Sequence, residues 1–191
     1  LAQPTLQKFG LTDEFVLTMG GTEPRKNVRS LVEVFRARWQ AGDRGLQLAI
    51  VGEDWRGINP AEWAATPNVV FVGRVEFAEL LHLYNRCLFF AFSSLMEGFG
   101  FPVLEAMGCG APVLAMRASS IPEVAGDAAM LIEPGQQTAL AQACDRLIHD
   151  DELRSVLAKR GLARAASFNW DRTVQETLAI YRQVVSATKV V

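Results

Sequence analysis

Glu97 and Glu105 bracket the run Glu97-Gly-Phe-Gly-Phe-Pro-Val-Leu-Glu105, and Ala106-Met107-Gly108-Cys109-Gly110 follows it. Gly98 and Gly100 permit a tight loop, and Pro102 suits the first turn of a helix, where its missing N–H costs nothing. The spacing predicts one carboxylate in the loop and the other about a turn inside the helix. Unpaired N–H groups at a helix start attract anions, so the amides of Phe99, Gly100 and Phe101 are placed to face phosphates. In a functional reading Glu105 takes the hydroxyls of a ribose and Glu97 meets a sugar. The plainer alternative is a glycine turn with two surface carboxylates, which a helix N-terminus favours by about 0.3–1 kcal/mol. The apolar Phe99, Phe101, Val103 and Leu104 between the glutamates are more than a solvated loop requires.

A second group, Gly20-Gly21-Thr22-Glu23-Pro24-Arg25-Lys26-Asn27, supplies the opposite charge. Arg25 and Lys26 stand just before a helix, where cations oppose the helix dipole by roughly 0.3–1 kcal/mol each. A bound diphosphate reverses that cost, because cations and amides then act on one anion. A solvated cation pair is the other reading. Gly20 and Gly21 let the chain approach a ligand closely, or simply permit the turn.

Weaker signals complete the set. Ser119 and Ser120 with Glu123 read first as a helix cap, with Ser120 bonding an N–H near Glu123, and second as support for a sugar site. Arg74-Val75-Glu76 borders a base or is an ordinary surface pair. His82 and His149 are too few for a Ser–His–Asp or His-rich metal site, and no D-x-D is present, so no metal site is expected. Neither G-x-G-x-x-G nor G-x-x-x-x-G-K-[ST] occurs, which disfavours dinucleotide dehydrogenases and P-loop NTPases.

The elements that must position these groups alternate. Apolar runs at Glu14–Met19, Leu46–Val51, Val69–Val72, Leu88–Phe92, Ala111–Met116 and Ala128–Ile132 read as six strands, several ending in glycine. Between and after them come helical spacings: Val28, Leu31, Val32, Phe35 and Trp39 behind an Asn27 N-cap; Leu80, Leu81 and Tyr84 within Glu79–Asn85; and a short helix at Pro60–Ala65. From Gln137 the chain is helical, with Leu140, Ala143, Cys144, Leu147 and Ile148 on one stripe and Leu153, Val156 and Leu157 on the next. A last helix carries Trp170, Val174, Leu178, Tyr181 and Val185 on one side. Continuous apolar strands alternating with helices predict an α/β fold, a Rossmann-like doubly wound parallel sheet of about six strands with C-terminal helices. In such a sheet ligands bind beyond the carboxyl ends of the strands, the edge where every candidate group falls.

Composition narrows the classes. At 191 residues and 50% apolar, the chain has enough for one well-buried core. A net charge of −2 lacks the basic stripe that nucleic acid requires. Cys87, Cys109 and Cys144 form no C-x-x-C pair and fit a reduced protein. No apolar run reaches the ~18 residues of a membrane span, and no signal peptide is visible. Leu1-Ala2-Gln3-Pro4 reads as a linker, and the chain as a natural piece or a fragment of something longer.

The residues of the Glu97–Glu105 run together with Ala111-Pro-Val-Leu114 resemble the E-x7-E signature of retaining glycosyltransferases of the GT-B fold, glycosyltransferase family 4. Gly20-Gly-Thr-Glu-Pro-Arg-Lys-Asn27, Ser119-Ser-Ile-Pro-Glu-Val-Ala-Gly126 and Phe168-Asn-Trp-Asp171 are similar to further stretches of that pattern, so the likeness covers essentially the whole chain. The Arg-Lys-Asn form is closest to the mannosyltransferase-like branch that builds cell-surface polysaccharides.

The resemblance implies a C-terminal, donor-binding half of a GT-B enzyme: a nucleotide-sugar-binding domain over 1–168, a crossover helix over 169–191, and an acceptor domain outside this chain. It implies that Arg25, Lys26 and Glu97 are catalytic, with Arg25 and Lys26 holding the donor diphosphate and Glu97 the sugar. It implies donor contacts by Gly20, Gly21, Val75, Glu76, Phe99, Gly100, Phe101, Leu104 and Glu105, with neither metal nor other cofactor. The partners it implies are a nucleoside-diphosphate sugar, GDP-mannose favoured, and a glycan or lipid-linked acceptor. It places the whole protein in the cytoplasm or at the cytosolic face of a membrane, and expects this chain alone to bind donor weakly and transfer nothing. A GT-B nucleotide-sugar epimerase and a non-catalytic α/β binding module docking through the last helix are the alternatives. Two positions depart from the family: Gly21 stands where Arg is frequent, and Ser93 where Pro is common, a change expected to matter little.

Overall fold

A computed structural model describes residues 2–53 and 66–188. The short helix expected at Pro60–Ala65 lies outside the described residues. The strands are β1 (Phe15–Met19), β2 (Gln47–Val51), β3 (Val69–Gly73), β4 (Phe90–Phe92), β5 (Val113–Met116) and β6 (Ala129–Ile132). They form one parallel sheet in the order β3-β2-β1-β4-β5-β6. This is the doubly wound order in which the direction of winding reverses between β1 and β4, and a crevice opens there at the carboxyl edge. The loops after β1 and β4, which carry Arg25-Lys26 and Glu97, are therefore neighbours.

The helices are α1 (Ala2–Lys8), α2 (Val28–Gln40), α3 (Phe77–Arg86), α4 (Phe101–Gly108), α5 (Ile121–Ala125), α6 (Gln137–His149), α7 (Asp151–Ala166) and α8 (Trp170–Thr188). Alternate strand residues point to opposite faces. Phe15, Leu17, Ala49, Phe90 and Phe92 pack with Leu83 and Tyr84 of α3 and Val103, Ala106 and Met107 of α4. Val16, Leu48, Ile50, Ala91 and Leu114 pack with Leu31 and Phe35 of α2, Cys144 and Leu147 of α6, and Leu157 of α7. Cys87 and Cys144 lie in these cores unpaired, and burial pushes the Cys144 thiol up to about 12, as fits cysteines serving as small apolar residues.

Several expectations change. The opening residues form α1 rather than a linker, because Leu6 and Leu11 are buried on the sheet while Pro4 falls in the first turn, where it is tolerated. In α3 the buried pair is Leu83 with Tyr84, not Leu81. Trp39 stays outside the core, its ring under the Arg44 guanidinium at 3.9 Å, and Val34 is buried instead. Val156 is exposed. On α8, Trp170, Val174, Leu178, Tyr181 and Val185 are all exposed. No described helix is long and apolar enough to cross a membrane.

Candidate functional site

Two loops meet at the switch point. After β1 the chain turns through Gly20 and Gly21 into a single 3-10 turn, Pro24–Lys26, and Asn27 takes the left-handed conformation before α2. Asn27 makes no side-chain cap; its carbonyl instead accepts the Ser30 hydroxyl at 2.8 Å. This turn is fastened to the loop after β4. The Leu95 N–H donates to the Arg25 carbonyl at 2.8 Å, the Ser93 hydroxyl to the Lys26 carbonyl at 2.8 Å, and the Ser94 hydroxyl to the Arg25 carbonyl at 3.3 Å.

The fastening places three charges together. Lys26 Nζ lies 2.6 Å from Glu97 Oε1, with the two side chains only 13% and 11% exposed, and 5.4 Å from the centroid of the Phe92 ring. Arg25 is more open: Nη1 donates to the Met96 carbonyl at 3.0 Å and stands 3.4 Å from Glu97 Oε1, while Nε pairs with Glu23. The two positive charges of Arg25 and Lys26 are matched by Glu97 and Glu23, so the cluster is close to neutral until an anion arrives and competes for the cations.

Burial alone would raise the Glu97 pKa, but hydrogen bonds from Lys26 and Ser94 and the charges of Lys26 and Arg25 outweigh it and hold the carboxyl below the usual range. A depressed carboxylate adds stability above its unfolded pKa, about 4.3, and loses it as pH falls through the lower folded value. Urea unfolding of wild type and Glu97→Gln is expected to show a stability gap that is constant from neutral pH to about pH 5 and closes below about pH 4. A gap unchanged down to pH 3 would contradict this ion pair.

The Glu97 loop is shaped from the β5 side. The Ser119 hydroxyl, at a residue with φ +46°, accepts the Glu97 N–H at 2.8 Å. The Ser120 hydroxyl donates to the carbonyls of Phe99 at 2.8 Å and Glu97 at 3.2 Å. Ser120 thus does not cap α5 as its position suggests; it holds the carbonyls of the glycine loop. With those carbonyls turned toward Ser120, the N–H groups of Gly98, Phe99, Gly100 and Phe101 donate to no group among the described residues. Gly100, with φ +103°, begins α4, and a Cβ there would sit 2.5 Å from Ile121 Cδ1. Four N–H groups without a partner among the described residues, at and just before the start of α4, offer a candidate cradle for an anion.

Five of the remaining expected residues divide between two hollows. Gly20 and Val75 line a cleft of about 470 Å³ with Met19, Glu23, Glu53, Arg74 and Leu80, and Glu53 pairs with Arg74 at 2.6 Å. Gly21 does not line it. It is buried, its N–H donates to the Val51 carbonyl at 3.3 Å, and it packs against the Glu53 backbone. Glu76 forms a capping box with Glu79 at the start of α3, its N–H donating to Glu79 Oε2 at 2.9 Å. Glu105 is exposed and accepts the Tyr84 hydroxyl at 3.4 Å; burial and the Glu105 charge raise the pKa of Tyr84 and keep its proton in place. Leu80 and Tyr84, one turn apart, bring the cleft and Glu105 to the same side of α3.

The side chains of Phe99, Phe101 and Leu104 face the other way. They line an apolar groove of about 310 Å³ with Phe168, Asn169, Trp170 and Thr173, and Phe101 lies near-parallel to Trp170 at 6.5 Å. Three further residues touch these groups: Ser93, read from the sequence only as a departure expected to matter little, Ser94, and Tyr84, read only as part of a helix face; the signal for the two serines was a pair of hydroxyls directly after a buried apolar strand.

This geometry meets an independent finding: residues 5–164 match the family model described as glycosyl transferases group 1. The chain belongs to the group 1 glycosyltransferases. It is 32% identical over 190 residues to the O-antigen chain mannosyltransferase B of Escherichia coli, covering 94% of this chain and 49% of that protein. Among solved structures, this glycosyltransferase chain is similar to sucrose-phosphate synthase of Thermosynechococcus elongatus, with a TM-score of 0.78 and 26% identity over 97% of this chain and 49% of that one. The C-terminal domain of the Francisella tularensis group 1 protein LpcC has the same fold, with a TM-score of 0.73 and 22% identity, covering 87% of this chain and 92% of that one. The group 1 chain described here thus spans about half the length of its E. coli relative. Its sheet is one Rossmann-like half of the GT-B architecture.

Proposed function

We propose that this chain is the donor-binding half of a retaining hexosyltransferase that uses a nucleoside-diphosphate sugar, GDP-mannose by preference. The observation that carries the reading is the amide cradle of Gly98 to Phe101 beside the Lys26–Arg25–Glu97 cluster. The diphosphate lies across the cradle, with Lys26 and Arg25 compensating its charge. The base enters the cleft at Gly20 and Val75, and Glu105, oriented by Tyr84, accepts the ribose hydroxyls.

As the sugar–phosphate bond lengthens, the departing diphosphate gains negative charge and the sugar becomes oxocarbenium-like. Preorganised N–H groups and cations stabilise the leaving group without rearranging. Glu97 aims Lys26 and offers its second carboxylate oxygen to the sugar hydroxyls. Mannose as the hexose is supported by the E. coli mannosyltransferase relative. Guanine is supported by the cleft's carboxylates, Glu23 and Glu53, since guanine presents two adjacent donors. The acceptor, a glycan or lipid-linked saccharide at the cytosolic face of a membrane, is held by a domain outside this chain. The exposed apolar stripe of α8 is then the surface that meets that domain.

Titration calorimetry of this chain against GDP-mannose, UDP-glucose and ADP-glucose tests the reading. GDP-mannose is expected to bind most tightly, with no sugar released. Folded protein that binds none of the three would refute the donor site.

A further inference from the structure

Resting on the donor reading above, we infer that Ser93 is a positioning residue for the diphosphate, acting through Lys26. Ser93 follows the last residue of β4 and is 3% exposed. Its hydroxyl donates to the Lys26 carbonyl at 2.8 Å, and among the described residues no other group donates to that oxygen. The next hydroxyl along, on Ser94, reaches the carbonyl of the preceding residue, Arg25, at 3.3 Å. Successive serines of β4's exit thus grip successive carbonyls of β1's exit.

The consequence falls on the Lys26 ammonium. Lysine's stem has four rotatable carbons, so a point charge at its end is placed only as well as its backbone is placed. With the Lys26 carbonyl held against β4, the stem runs over Phe92 and the ammonium reaches Glu97 at 2.6 Å. Gly20 leaves room for this path, since a Cβ there would sit 2.5 Å from Lys26 Cβ. Ser94 is the less selective grip, for its hydroxyl also reaches the Met96 carbonyl at 3.3 Å. Among the described residues the Ser93 hydroxyl bonds the cluster through Lys26 alone. Removing its hydroxyl leaves a part-buried carbonyl without that donor and frees the turn that carries the charge.

A double-mutant cycle separates this role from a merely structural one. Calorimetry would measure GDP, UDP and ADP affinity for wild type, Ser93→Ala, Lys26→Ala and the double variant, with melting temperatures alongside. Ser93→Ala is expected to weaken the diphosphate about five-fold, the worth of one net hydrogen bond. The double variant is expected to bind no more weakly than Lys26→Ala, and Ser93→Thr to restore wild-type affinity. Should Ser93→Ala fail to fold, Ser93→Cys, a weaker donor of similar size, carries the same cycle. An equal loss in the presence and absence of Lys26, or an unchanged affinity in Ser93→Ala, overturns the assignment while leaving the donor site intact. A wild type that binds none of the three nucleotides overturns the donor reading, and this role with it.

Discussion

Gly21→Ala is expected to destabilise the chain by roughly 3–5 kcal/mol, more than any other single glycine substitution in the site loops. Gly21 has φ +55°, which costs a side-chain-bearing residue of order 1 kcal/mol or more by itself. The larger part is steric. A Cβ at Gly21 runs into the carbonyl oxygen of Glu53, and backbone cannot rotate aside as the end of a side chain can. Gly52 meets the same loop from the other strand, where an added Cβ would lie 2.5 Å from the Gly21 N. The exits of β1 and β2 therefore touch backbone to backbone. Gly10→Ala is the control: its φ is +67° but nothing lies within 4 Å of an added Cβ, so only the conformational cost of about 1 kcal/mol applies. Urea unfolding of the two variants checks the difference, and equal losses would show that contact with Glu53 contributes nothing.

Lys26→Ala is expected to weaken nucleoside diphosphate binding by about 10- to 100-fold, the range for a charge-assisted hydrogen bond held in a shielded site. Arg25→Ala is expected to cost about 2- to 5-fold, because exposed charges are screened by solvent. The ranking follows from placement rather than charge, which the two residues share. Lys26 is 13% exposed and aimed by Glu97, whereas the Arg25 side chain is 45% exposed and already divided among Glu23, Met96 and Glu97. Calorimetry with the same nucleotide on both variants decides it; an equal or reversed ranking would move the diphosphate toward Arg25.

Much of this architecture is legible from residue types, for identifiable reasons. Strands buried on both faces are continuous apolar runs, so Phe15–Met19 or Val113–Met116 can be read without knowing their neighbours. The observed strands are shorter than those runs mainly at their first residues, as at Leu88, whose N–H still bonds the Phe15 carbonyl at 2.8 Å. Position along the sheet edge is legible too, because glycines end the strands and the charged motifs follow them.

What escapes is whatever tertiary contact decides. Ser120 precedes a helix, and nothing local tells a hydroxyl that caps an N–H from one that bonds the Phe99 carbonyl across a loop. Leu81 and Leu83 fit equally well on a short amphipathic helix; the sheet chose Leu83. The polar residues Ser93 and Ser94 look unremarkable after an apolar strand until the β1 loop is seen beside them. Phe99 and Phe101 invite a reading as ligand contacts, yet their rings belong to the groove beside Trp170.

The most direct test is a crystal structure of this chain with GDP. The diphosphate oxygens are expected within hydrogen-bonding distance of the Phe99, Gly100 and Phe101 amides and of Lys26 Nζ, with the ribose on Glu105 and the base in the cleft beside Val75. GDP seated in the groove between Phe101 and Trp170, or a Lys26–Glu97 pair left untouched with the diphosphate elsewhere, would contradict the donor site described here.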